Sequence, residues 1–557
     1  MKKIFSKKYL AVIASAAALT GCVGNNADCT VINTGGEAIK IGWAKRSIVP
    51  PKGVAPITGQ FYLRVALEQR TPLITSSMVI ENGKETVVFV SADMISVPAE
   101  VLSIIKKLIA AEAPYIPADN IIICATHTHA GPSAKGPEKT PYPNKVDFIK
   151  NSDMRNFIAR QITDAIKEAW GKRDFGSISY GYGFAMTGYS RRTLYLDDIS
   201  KREAARPGIA MNGHAKMYGK TSDDMFAGYE AGTDSFINLL YTFDKKGKLT
   251  GAIINVPCPA QTCGSTWSMH ASFWHNVREK LAAKYGDITI ITQTAAGGDL
   301  CPQQLHYLAA EKRRFSLKYP EKLKAYMRDP MKYPAGLFPK KENYDVQYAY
   351  DCMEYLRAED IAERITNAFD EVLEWASKEK FATPELKHEV RTLELSRRQF
   401  PKELVDQERK NHEKFMKQEF ITEGNDYYVL QQNSALNSRR NRCGGVVSRF
   451  EQQSVNPTVK TKIHVVQLGN IAFATNRFEM FIDYMHRIQG RSPFEQTFIV
   501  QLVTDDYGVG NYLATARAIA NKGYSATPYC NRASAEGGQE LVNATVDVLK
   551  KLKGDKK

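Results

Sequence analysis

Short apolar runs rich in β-branched residues recur along this chain, each closing in a loop of small or turn-forming residues, with amphipathic stretches between them. Strands are expected at Ile39–Trp43, Thr86–Val90, Asn120–Cys124, Ser235–Phe243, Ala252–Val256, Ile288–Thr292, His464–Leu468, Ile471–Ala474 and Phe498–Val503. Helical periods fall at Ala99–Ala111, Phe148–Trp170 and Gly538–Leu552; Pro98 opens the first, where a missing N–H is tolerated. Strands alternating with helices predict an α/β (mixed α+β) architecture of β-sheets sandwiched by helices. Between about residues 304 and 460 Lys, Glu and Arg become dense and helical periods dominate. This texture predicts a largely helical insertion inside one large domain spanning 39–557.

The N-terminus reads differently. Lys2, Lys3, Lys7 and Lys8 precede a short apolar stretch, Ala11–Leu19, and then Leu19-Thr20-Gly21-Cys22. The stretch falls short of the roughly 20 apolar residues that span a bilayer and has the layout of a secretory signal. Small residues leading into a cysteine predict a bacterial lipoprotein: a signal over 1–21, a lipid anchor on Cys22, and a small, polar tether over 22–38. The expected location is the outer membrane, on its periplasmic or cell-surface face.

Removing the four leader lysines from a formal charge of +15 leaves +11. Basic and acidic residues are interspersed, as in Lys340–Asp345 and Lys402–Lys417, so the charge predicts a solvated surface and no nucleic-acid partner. Nine cysteines in 557 residues, with no CxxC pair, exclude a disulfide framework or a zinc ribbon. Pairing among those beyond Cys22 stays open.

Chemistry concentrates at Thr126-His127-Thr128-His129-Ala130-Gly131-Pro132, where an apolar strand gives way to a loop. In extended chain, residues i and i+2 face the same way, so both imidazoles can converge where α/β sheets open ligand crevices. Two histidines leave a zinc site incomplete, since it takes three protein ligands and a water. Distant segments offer Cys258, His270, His275, Asp299, Cys301 and Glu479.

Taken in order, Thr126–Pro132, Asn255-Val256-Pro257-Cys258-Pro259, Gly298-Asp299-Leu300-Cys301-Pro302, the Glu479 segment and Tyr507–Tyr512 resemble the motifs of the neutral/alkaline (non-lysosomal) ceramidase family. Tyr512 and Tyr524 also keep that family's interval between two functional tyrosines. The resemblance covers most of 39–550 and implies a divergent lipoprotein member without the family's C-terminal immunoglobulin-like domain. It implies a zinc-dependent hydrolase that cleaves an amide (N-acyl) bond of a small lipid or glycan substrate with metal-activated water. Carried across, it makes His127, Glu479 and Tyr512 ligands of Zn2+, and His129, Arg191 and Tyr524 the groups that meet the substrate carbonyl; Arg192 is the alternative to Arg191.

Two departures stand out. Cys258 occupies the segment where the family has a second ligating histidine, and Cys301 replaces a serine. A thiolate can ligate zinc, and a cysteine is the stronger nucleophile, so Cys258 is expected as a ligand and Cys301 as a catalytic residue. The same metal site acting on an ester, an N-acyl sugar or a glycan linkage, and a non-catalytic lipid- or glycan-binding lipoprotein, are the competing readings.

Overall fold

Two β-sheets lie face to face with helices covering both outer surfaces. The computed structural model describes residues 30–136, 138–203, 211–338, 341–508 and 510–554. The leader, Cys22 and the first part of the tether lie outside the described residues. The larger sheet has ten strands, eight of them in the order Thr289–Thr294, Leu249–Val256, Phe236–Asp244, Asp174–Phe184, Lys40–Ser47, Ile74–Glu81, Thr86–Ala92 and Ile121–Ala125. The smaller runs Leu386–Ser396, Thr458–Leu468, Ile471–Thr475, Gln496–Val500.

The period-two alternation of strands decides which layer each side chain joins. Met78, Ile80, Val87 and Phe89 pack between the sheets with Phe473 and Phe498. Their neighbours Val79, Val88 and Val90 face outward, under the helices Ala99–Glu112 and Asn151–Gly171. Because both faces are covered, these strands read as unbroken apolar runs. The small sheet is covered by Ile482–Gln489 and Ala535–Lys553. The architecture is therefore the mixed α+β sandwich expected.

The 304–460 stretch is helical over Leu308–Lys318, Pro320–Arg328, Lys341–Ala376, Lys402–Met416 and Asp426–Gln452. It is also woven into the sandwich, which a helical insertion would not be. Ile361, Ile365 and Phe369 of the longest helix pack under the large sheet, and Leu386–Ser396 is an edge strand of the small one. Gly181 permits this docking, since a Cβ there would lie 2.3 Å from the Trp375 ring. At the other end of the chain, Thr30–Ile32, expected as tether, pairs in parallel with Glu379–Phe381. The seven described cysteines are free and buried, so no disulfide forms among the described residues. No described helix is long and apolar enough to cross a membrane.

Three parallel strand pairs set the position of the site: Thr86–Ala92 with Ile121–Ala125, Leu249–Val256 with Thr289–Thr294, and Ile471–Thr475 with Gln496–Val500. The chemistry-bearing loops leave their carboxyl ends, where open α/β sheets form ligand crevices.

Candidate active site

The strand Ile121–Ala125 ends before the two histidines, and His127 sits in left-handed backbone at φ 62°. The imidazoles therefore converge through a strained turn, not through strand alternation. His127 Nδ1 lies 2.8 Å from the Ile95 carbonyl. A carbonyl can only accept, so Nδ1 carries the proton and Nε2 presents a lone pair. That Nε2 lies 3.3 Å from His129 Nε2 and 3.3 Å from Glu479 Oε2. His129 donates in the same way to the Gly59 backbone; burial, then the charges of His127, Arg64 and Arg191, hold its pKa well below the usual value. The loops are tied by Arg64, fully buried, which donates to the carbonyls of Thr58 (2.9 Å), His129 (2.7 Å) and Thr266.

Glu479 and Tyr512 meet through backbone pairing. The two-residue strands Glu479–Met480 and Tyr512–Leu513 run parallel with Glu479 opposite Tyr512, so both side chains leave the same face. Close approach of Gly298 and Gly510 holds this pair: a Cβ at Gly298 would lie 2.4 Å from the Glu479 carbonyl, and one at Gly510 2.2 Å from that of Arg477. The Tyr524 hydroxyl donates to Tyr512, and Tyr512 donates to Glu479. Burial pushes the Glu479 carboxyl up, but His127, Arg191 and Tyr512 outweigh it and hold it below the ordinary range. Burial, and then Glu479, push the Tyr512 phenol well above its ordinary value.

Arg191 is buried, with one Nη atom donating to the Gly298 carbonyl (2.7 Å) and the Tyr512 hydroxyl (3.2 Å). Arg192 leaves the opposite face into a buried ion pair with Glu230 (2.5 Å) and also binds the Tyr524 carbonyl (2.6 Å). It fastens the Tyr524 segment without entering the cavity.

His127, His129, Arg191, Cys301, Glu479, Tyr512 and Tyr524 line one cavity of about 1060 Å³. Cys258 does not join them. Its thiol is fully buried in the layer beneath Leu249–Val256, donates to its neighbour Pro259 (3.4 Å), and is raised well above its usual pKa by burial and then by Cys301. In its place the same loop sends Gln261, whose Nε2 donates to His129 Nε2 (2.8 Å) and whose Oε1 faces Arg191 (3.4 Å). The Cys301 thiol lines the cavity with them; burial pushes it up to about 11, and it donates to the Gln303 carbonyl (3.2 Å). His270, held down to about 3 by burial, His275 and Asp299 lie outside the lining. The carboxyl of Asp299 instead accepts from the Ile482 backbone (3.0 Å).

Like Gln261, two further lining residues had no signal in the sequence. Glu354, on Lys341–Ala376, is pushed by burial and then by Asp351 up to about 8 and accepts from Ser265 (2.9 Å). Arg442, on Asp426–Gln452, stacks its guanidinium on Phe61 at 4.0 Å.

Among the described residues no group of three or more His, Cys, Asp and Glu side chains is arranged to hold a metal ion. A cation here would draw on His127, Glu479 and the Tyr512 phenol. That donor set fits zinc chemically: a fixed imidazole lone pair, an ionised carboxylate and a phenol, leaving a position open. The 3.3 Å between His127 Nε2 and Glu479 Oε2 is the separation of two ligands each about 2.0–2.1 Å from one tetrahedral ion.

Layers, crevice and donor set define a mixed α+β sandwich protein with an enzyme-like pocket at its strand ends. No family model and no curated protein matches the chain. Solved structures do: a ceramidase complexed with C2 superposes with a TM-score of 0.57 at 14% identity, over 93% of this chain and 76% of that one. The neutral ceramidase of Pseudomonas aeruginosa gives 0.56 at 14% identity, over 92% and 75%. The chain has the neutral ceramidase fold.

Proposed function

We propose that this protein is a zinc-dependent hydrolase that cleaves an N-acyl amide bond of a lipid, held at the outer membrane by acyl chains on Cys22. The observation that carries the reading is the convergence of His127, Glu479 and Tyr512 with Arg191 and Tyr524 in one deep cavity. The fold shared with ceramidases supports the reaction class and the lipid substrate.

His127, Glu479 and Tyr512 would hold the ion, which when bound supplies Lewis-acid polarisation and a water of lowered pKa. His129, bonded to the Gly59 backbone, turns its Nε2 into the cavity, where it accepts from Gln261 (2.8 Å). Arg191 brings a permanent charge to the side of the cavity where a carbonyl oxygen gains charge, and the Tyr524 phenol, whose O–H is given to Tyr512 in this structure, would turn to the oxyanion once Tyr512 is engaged by the ion. Both are positioned before substrate arrives, through Gly298, Tyr512 and the Arg192 clasp. Burial raises the Glu354 carboxyl to about 8 in the same lining, which makes it the group we propose to protonate the departing amine.

The test is elemental analysis of the purified protein together with hydrolysis of an N-acyl fluorogenic amide before and after chelation. About one zinc per chain, with activity lost to the chelator and restored by zinc, is the expected result; undiminished turnover in verified metal-free protein overturns it. Glu354→Gln should lower kcat by about 10²-fold, the low end for a lost proton donor, with KM little changed.

A further inference from the structure

From Tyr512 a run of aromatic rings leads out of the reaction centre. Tyr512 packs edge-on against Tyr524 (5.5 Å between centroids), and Tyr524 against both Phe61 (5.3 Å) and Tyr529 (6.2 Å). Arg442 closes the run, its guanidinium 4.0 Å from the Phe61 centroid and 5.3 Å from that of Tyr529. Phe61 is 43% exposed, so this end of the wall is the cavity mouth. Stacking fixes the guanidinium plane; Nε donates to the Ser438 carbonyl (3.2 Å) and the group also reaches the Tyr529 hydroxyl, which leaves the remaining Nη hydrogens for a ligand.

Arg442 forms no ion pair among the described residues. The carboxyl that feels its charge, Glu408, is itself raised by burial, and one of its oxygens has no partner. Lys135 lines the same cavity, likewise without an ion pair among the described residues; burial and then Arg532 depress it, and Glu100 acts against them. Behind the wall, the segment from Ala526 to Asn531 is clasped by Arg398 and Arg449 through carbonyl and amide oxygens, without carboxylates. Arg449 is pushed down to about 10, by burial and then by Arg532 and Arg398. Inside the cavity, Glu354 is raised to about 8 and offsets little of this charge, and the other lining carboxylate, Glu479, lies at the reaction centre against His127 (3.3 Å). An excess of one sign of charge at the mouth of a cleft focuses its field on ligands of the other.

We propose that the substrate is an anionic N-acyl amphiphile: beyond the scissile amide it carries an oxyanion, held by Arg442 at the mouth with Lys135 adding positive charge to the same lining, while its apolar part lies along the Tyr524–Phe61 wall. This rests on the N-acyl hydrolase reading and deepens it by fixing the head-group chemistry. A carboxylate, sulfonate or phosphate all meet the requirement.

The experiment compares binding of N-octanoyl glycine, N-octanoyl taurine and the neutral N-octanoyl ethanolamine to the zinc-loaded full chain, by calorimetry below their aggregation limits. Both anionic ligands should bind about tenfold more tightly than the neutral one, one charge-assisted contact's worth, and the advantage should shrink as salt is raised. Arg442→Gln should remove most of it and Arg442→Lys retain part, with thermal melts checking that both variants fold. Equal affinity for the three ligands, or an anion preference untouched by both Arg442→Gln and Lys135→Gln, overturns the proposal. Hydrolysis read in parallel separates the two ideas. Anion-selective binding without cleavage sinks the hydrolase reading alone, and cleavage without anion preference sinks this one alone.

Discussion

His127 stands in a conformation that non-glycine residues rarely adopt, at about 1–3 kcal/mol of local strain. Two other residues with positive φ, Tyr218 and Leu502, also line the cavity, so strain gathers where the chemistry is. His127→Gly should therefore leave the melting temperature unchanged or higher while abolishing bound metal and reducing hydrolysis by at least about 10²-fold; a destabilised variant that still binds zinc would contradict this. Arg192 works the other way. Its ion pair with Glu230 is fully buried, and Arg192→Ala should lose about 3–5 kcal/mol in denaturant unfolding because Glu230 is left buried without its cation, with only the Asn521 amide (3.0 Å) to meet it. At this scale the histidine pair and Glu479 were legible from residue type and strand-end position. Gln261 and Glu354 were not, because nothing local announces that one loop residue turns inward or that one glutamate in a charged helix is buried. Cys258 misled for the same reason: it follows a strand, as a ligand would, but its thiol points into the apolar layer.

Elements carry the site by where they end. The strands with unbroken apolar runs were readable because both of their faces are covered, and their loops deliver His127, Gln261 and Glu479. Asp174–Phe184 and Leu386–Ser396 were not, since the first alternates small residues with aromatics and the second exposes charged residues on one face. The two-residue pair that sets Glu479 beside Tyr512 is too short for any pattern; it exists because Gly298 and Gly510 let three backbones approach. Gly298→Ala should push the Glu479 backbone outward. We expect kcat for N-acyl amide hydrolysis to drop at least tenfold, with a melting loss of only a few degrees, an overpacking cost of about 1–3 kcal/mol. A variant of undiminished kcat would mean that this register does not position the carboxylate.

The layered body as a whole buries groups whose protons set its pH response. Burial holds His270 and His464 down to about 3 and His388 to about 4, from an ordinary 6.5. Below about pH 6.5 the unfolded chain takes up protons that these folded imidazoles refuse, so their contribution to stability falls on acidification. The carboxyls of Glu354 and Asp299 behave oppositely: burial raises them to about 8 and about 7, from 4.5 and 3.8. Through that window the fold keeps protons the unfolded chain has released, so stability declines as pH rises from 6.5 to 8. The melting temperature should therefore be lower at pH 8 than at pH 6.5, and Glu354→Gln, which cannot ionise, should lose much of that difference. If the variant declines as steeply as the parent, the Glu354 proton is not what the fold retains. Its assignment as the acid that meets the departing amine then fails with it, because both depend on the same buried proton at the cavity wall.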